Sequence, residues 1–437
     1  MNKWMLLRVR TVINWKQGNF YRRLFLSLFV VVLCSTGFGI VRAGSVETVS
    51  FLMPAPFAES TKDLVRQFNN EYRGKIHLHI IRGPLETESV SDLAISSLLL
   101  GKAPFDGLLM DVTWLPKYAA AGWMEPLDNY FSESDVNALA QGAREGNSHD
   151  GRLYRWPLAA DMGLLYYRTD LMEKPPETPE ELVSLSQSLQ KDQKVDWGYV
   201  WQGRQYEGLS CVYLEMIDGF GGDWLNPTTQ QIGLDQKPGV EAAAWLQSLI
   251  DVGVSPRAVT NYAESEALQS FKVGDAAFMR NWPYAWAELQ KSDSQVKGHV
   301  GITTMVSKLG YSTATLGSWG LSVLKGSDHI EASVEAIRFL TNASAQKQLF
   351  LNNGYTPTQQ GVFDDPELIQ ISPILTELNR ALNVAKPRPE TPLYAQISDV
   401  LTRQLSGVLT QEKTPQEGMD DATSNTNQIL VSAGVKS

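Results

Sequence analysis

From residue 48 onward, short apolar runs alternate with stretches in which apolar residues recur every three or four positions. Residues 48–53 form an apolar run closed by a proline turn, which predicts a strand. Leu64, Val65, Phe68 and Tyr72 then recur at helical spacing behind Ser60, a residue able to cap a helix. Ile76, Leu78 and Ile80 alternate as a second strand, residues 91–100 read as a helix, and a third strand over 107–110 ends at Asp111. This strand–helix–strand–helix–strand order predicts a parallel sheet wrapped by helices. Ligands of such sheets bind at the carboxyl ends of the strands, where Asp111 stands.

Further on, residues 239–250, 264–271 and 331–340 read as helices, and 300–305 as a strand leading into a Gly/Ser/Thr-rich stretch over 310–318. Ile397, Leu401, Leu405 and Leu409 recur every four residues, an amphipathic stripe. Thr414 as cap and Pro415 at the first helical position open a final helix. The chain shows no internal repeat and no low-complexity tract.

The first segment reads as a targeting signal. Six basic residues precede the apolar run over 24–33, which is short for a membrane span of ~20 residues. Cleavage after Ala43 is one expectation; lipidation of Cys34 and an uncleaved anchor are the others. Each puts the folded part outside the cytoplasm, in the periplasm or at the extracytoplasmic face of the plasma membrane. Removing residues 1–43 takes the net charge from −10 to about −17, which argues against nucleic acid as a partner. The remaining length is too great for one hydrophobic core and fits two domains. Only Cys211 would then remain, so no intrachain disulfide can form.

Catalytic patterns are scarce. The five histidines form no HExxH, and there is neither a GxSxG nor a GxxxxGK[ST] motif. His77 and His79 share one face of a strand, either a solvated face or a metal pair. Asp364-Asp365 and Asp420-Asp421 sit in polar surroundings suited to helix starts. Tryptophan stands out, with twelve residues. Asn281-Trp282-Pro283-Tyr284-Ala285-Trp286 gathers aromatics around a proline, Gly317-Ser318-Trp319-Gly320 sets one among small residues, and Tyr154, Trp156 and Asp161 cluster. Sugars present C–H patches on their ring faces and hydroxyls at the edge. A site for them needs flat aromatic faces with carboxylates, amides and Arg around them.

At these residues the chain resembles the extracellular solute-binding proteins of sugar ABC transporters, most closely their trehalose/maltose-binding branch. The resemblance is carried, in family order, by FDGLLMDVTWLPKYAAAGWMEPLD (105–128), ADMGLLYYRTDL (160–171), FKVGDAAFMRNWPYAWAELQ (271–290), TLGSWGLSV (315–323) and EAIRFLTNASAQKQLF (335–350). It implies an α/β, two-lobed periplasmic-binding-protein-like fold, with mixed sheets flanked by helices and a hinge of several strands. The first lobe would span 44–155 and 301–340, the second 156–300 and 341–437. It also implies that Asp111 and Asp161 accept hydrogen bonds from sugar hydroxyls, and that Trp282 and Tyr284 form a stacking wall. Trp319, with the backbone of Gly317 and Ser318, would face a sugar ring. Arg388 would fork hydroxyls, Tyr394 would supply an aromatic, and Glu59 an acidic contact from the first helix. The partners implied are a small sugar and the permease subunits, with a monomeric protein and neither cofactor nor metal.

The chain departs from the trehalose/maltose pattern at Val90 or Ser91 where an arginine is expected, at Ser318 for a glycine, and at Ala159 for an aromatic. These losses suggest a smaller or differently hydroxylated ligand, such as trehalose, sucrose or glucosylglycerol, of compatible-solute type. Two rivals are a secreted glycoside hydrolase using two of the acidic residues and the same fold holding a polyol or other non-sugar solute.

Overall fold

The structure, a computed structural model, describes residues 46–434 except 102 and 311–313. The basic and apolar leader, with Cys34 and the expected cut after Ala43, lies outside the described residues. Among those described, no helix is long and apolar enough to cross a membrane.

Two main sheets organise the fold. The first holds β1 (Glu47–Met53), β2 (Ile76–Arg82), β3 (Gly107–Asp111), β4 (Trp156–Met162), β9 (Ala314–Val323) and β10 (Ala385–Lys386). The second holds β5 (Leu164–Arg168), β6 (Trp197–Val200), β7 (Ala276–Asn281) and β8 (Val300–Thr303). As the order of elements predicts, β2, β1 and β3 run parallel. β9 then lies antiparallel between β3 and β4, so the sheet is mixed. The second sheet runs β8-β5-β7-β6, with only β7 and β6 parallel.

Burial follows the sequence pattern. All five residues of β3 and all seven of β4 are buried. In β2 Leu78 points inward while His77 and His79 are exposed, the solvated face rather than a metal pair. Two local readings change. Ser60 does not cap a helix: Pro54 and Pro56 start one earlier, over Ala55–Ser60, and the Ser60 hydroxyl donates back to the Pro56 carbonyl at 2.7 Å. Of the Gly/Ser/Thr-rich stretch, residues 314–318 are strand, because small residues let β9 sit between two neighbours and under a bulky side chain. At the C-terminus, Thr414 caps the helix Pro415–Ser432 in a capping box with Glu417.

The chain passes from β4 to β5, and so between the sheets, at Gly163. A methyl group there would lie 1.8 Å from Glu215 Oε1 and 2.5 Å from Arg280 Nη2. Those two side chains are fully buried and paired at 2.5 Å, so neither can retreat cheaply. Gly163→Ala is therefore expected to cost roughly 1–3 kcal/mol, read as a lower urea midpoint; an unchanged midpoint would show that the crossing can relax.

Candidate functional site

Strand register sets the site. Trp319 pairs with Asp111 on one side and with Ala159 on the other, and two residues earlier Gly317 pairs with Asp161. Direct cross-strand partners, and residues two apart on one strand, share a face of the sheet. Asp111, Ala159, Asp161, Gly317 and Trp319 therefore project together. Ser318 lies on the opposite face: its fully buried hydroxyl donates to the Ala159 carbonyl at 3.2 Å and accepts from Arg155 at 2.8 Å. Only its backbone is left for the site.

Trp282 closes over this row. A methyl on Gly317 would lie 2.6 Å from its Cζ3, so the indole rests on bare backbone. The Arg280 guanidinium stacks 4.1 Å from the ring centre, and the indole N–H donates to Glu264 at 3.2 Å. Glu264 in turn accepts from the Tyr206 hydroxyl at 2.8 Å. Held at one face and one edge, Trp282 keeps a fixed orientation while remaining half-buried. Tyr284 is also half-buried, at the start of the helix Tyr284–Leu289, and burial raises its phenol pKa. Across the row, Trp319 meets Phe57 at 5.2 Å and the edge of Trp114 at 5.7 Å, and Phe57 stacks on Tyr355 at 4.5 Å.

The carboxylates differ in their partners. Asp161 is buried, and one oxygen accepts from the Thr356 amide at 3.1 Å. Burial raises its pKa to about 6, against the pull of that hydrogen bond. Asp111 accepts from Thr113 and from Arg388 Nη2, the latter at 2.9 and 3.3 Å to its two oxygens. Arg388, buried, donates through Nη1 to Glu207 at 2.8 Å, while its Nε is buried without a partner among the described residues. Burial pulls the Arg388 pKa down, but Asp111 and Glu207 hold it well above the ordinary value. Glu88 stands nearby, its pKa raised by burial and by the charges of Glu207 and Asp111.

Asp111, Asp161, Trp282, Gly317 and Trp319 are brought together, and Arg388 joins through Asp111. Tyr394 stands one layer back: buried, it donates its hydroxyl to Glu207 and packs 5.8 Å from Trp224. Glu59 is exposed on the outer side of its helix, paired with Lys62 and, at 3.0 Å, with Arg82. Phe57 is the residue of that helix that reaches Trp319. Sequence reasoning passed over Phe57, Tyr355, Glu207 and Glu264. Glu207 had one usable signal, its place after Gly203 and Tyr206 and before Gly208 at the opening of a helix.

Comparisons with known proteins bear on the family and the fold. The family model for bacterial extracellular solute-binding proteins matches residues 56–347. A probable ABC transporter-binding protein of Deinococcus radiodurans is 34% identical over 343 residues, 75% of this chain and 81% of that protein. A maltotriose-binding protein of Pyrococcus abyssi is 27% identical over 284 residues, 64% of this chain and 60% of that one. The solved structure of maltose-bound T. maritima MalE3 superposes with a TM-score of 0.82 at 31% identity, covering 88% of this chain and all of that one. The fold is the two-lobed one of the maltose-binding type. By both length and identity of the match, the chain belongs to the bacterial extracellular solute-binding proteins.

Proposed function

We propose that this protein captures a small sugar, of trehalose, sucrose, maltose or glucosylglycerol type, and delivers it to the permease of an ABC importer. The reading rests on one observation above others: two carboxylates and two indoles, from segments far apart in sequence, gather around one face of a sheet. Indole faces stack on the C–H patches of a sugar ring, while Asp111 and Asp161 accept from its hydroxyls. Arg388 Nε, without a partner among the described residues, would donate to a ligand oxygen. Ala159, opposite Trp319 and fully buried, stands where the trehalose/maltose pattern has an aromatic. The lobes would be 44–155 with 301–340 and 156–300 with 341–437, β4 running through the hinge. Closure is favoured by contacts that the ligand makes only when both lobes meet. The protein would work as a monomer outside the cytoplasm, either free after cleavage at Ala43 or anchored through Cys34.

A thermal-shift series against the four sugars and mannitol tests this. At least one sugar is expected to raise the melting temperature, a saturating excess of about 100 Kd adding about 2.7 kcal/mol. The sugar should be recovered unchanged. Release of reducing sugar would favour the hydrolase, a shift with mannitol alone would favour a polyol, and no shift with any of them would contradict the proposal. Trp282→Ala is expected to weaken binding by roughly 2–4 kcal/mol in calorimetric titration; unchanged affinity would remove Trp282 from the site.

Binding should also depend on pH. As an acceptor Asp161 works when ionised, so affinity should fall as pH drops through about 6. Stability of the ligand-free protein should move the other way. Asp161 binds its proton more tightly folded than unfolded, so stability rises as pH falls from about 6 towards the ordinary value of 3.8. Asp161→Asn should flatten both dependences, and a variant that keeps the wild-type pH profile would assign the titration to another group.

A further inference from the structure

The Asp111–Arg388–Glu207 chain runs from a strand end in the six-stranded sheet to the first residue of α1 (Glu207–Gly219). α1 packs in the core with Leu165, Tyr199 and Phe278 of the four-stranded sheet. Arg388 lies on the segment that joins β10, in the first sheet, to α2 (Tyr394–Leu409), which packs against α1. One guanidinium thus ties the two halves of the molecule. Glu207 is in turn fixed by the Tyr394 hydroxyl and by Ser398 Oγ at 2.6 Å, both on the first turns of α2.

We propose that Glu207 is a positioning residue for ligand capture, holding Arg388 against Asp111 so that the cleft is bridged before a ligand enters. The proposal rests on the sugar-capture reading and adds a regulator of the same site. Opening the cleft would draw the guanidinium away from one of its two carboxylates and leave that charge without its partner. Part of the closing free energy is therefore present in the ligand-free protein. Apparent affinity is the intrinsic affinity scaled by the fraction of protein in the binding-competent state, so a bridge that populates this state tightens binding without touching the sugar.

Small-angle X-ray scattering of the ligand-free chain, wild type against Glu207→Gln, reads the bridge directly, because it needs no sugar. The variant is expected to show a larger radius of gyration. In titrations with trehalose, sucrose, maltose and glucosylglycerol it should bind roughly ten-fold more weakly. If Glu207→Gln fails to fold, Tyr394→Phe combined with Ser398→Ala, which frees Glu207 without removing it, should enlarge the radius in the same direction. A lowered melting temperature with an unchanged radius would reduce Glu207 to a structural residue and overturn the proposal. A larger radius in a protein that binds none of the four sugars supports the bridge and contradicts the sugar reading.

Discussion

Antiparallel pairing places Trp319 between Asp111 and Ala159, and Gly317 opposite Asp161. Everything proposed for this protein depends on that register. A slip of β9 by one residue would send Trp319 to the other face and bring the Ser318 side chain in its place. The register is held from behind by Arg155, whose fully buried guanidinium reaches Ser318, Asn147 and the Met110 carbonyl, and so touches β9 and β3 together. Burial, with Arg388 nearby, lowers its pKa to about 9, with Asp111 acting in the opposite direction. It therefore stays cationic at neutral pH.

The same row concentrates negative charge. Asp111, Glu207 and Glu88 surround one corner, and Arg388 is the cation that meets two of them directly. Asp161 has no such cation among the described residues and accepts from a backbone amide; burial is what raises its pKa, against the pull of that hydrogen bond. The two acidic groups of this row thus have different chemistry. Asp111 is locked in an ionic bridge, and Asp161 is the more weakly satisfied acceptor of the two.

Much of this was legible in the sequence. The β-α-β-α-β opening, the strand ending at Asp111, the amphipathic stripe from Ile397 to Leu409 and the Thr414-Pro415 cap all follow from local pattern, and the structure contains each of them. Trp282 and Trp319 drew attention because bulky rings among Pro and Gly do not read as ordinary core, and Gly317 is indeed the bare surface on which Trp282 lies. What could not be read was pairing at long range. Glu207 meets Arg388 across 181 residues and Arg388 meets Asp111 across 277, and no local periodicity encodes such contacts. Glu59 and Phe57 share one short helix, and which of them faces Trp319 depends on the helix start. Two prolines start that helix, Ala55–Ser60, and the predicted helix with Leu64 and Phe68 follows it at Lys62–Glu71, with Thr61 rather than Ser60 before it.

A crystal structure of the protein grown with whichever of the four sugars stabilises it tests the central claim most directly. The account predicts a sugar ring in van der Waals contact with both Trp282 and Trp319, with hydroxyls donating to Asp111 and Asp161. A ligand seated elsewhere, with those two indoles free of it and Asp161 still bonded only to the Thr356 amide, would contradict the account.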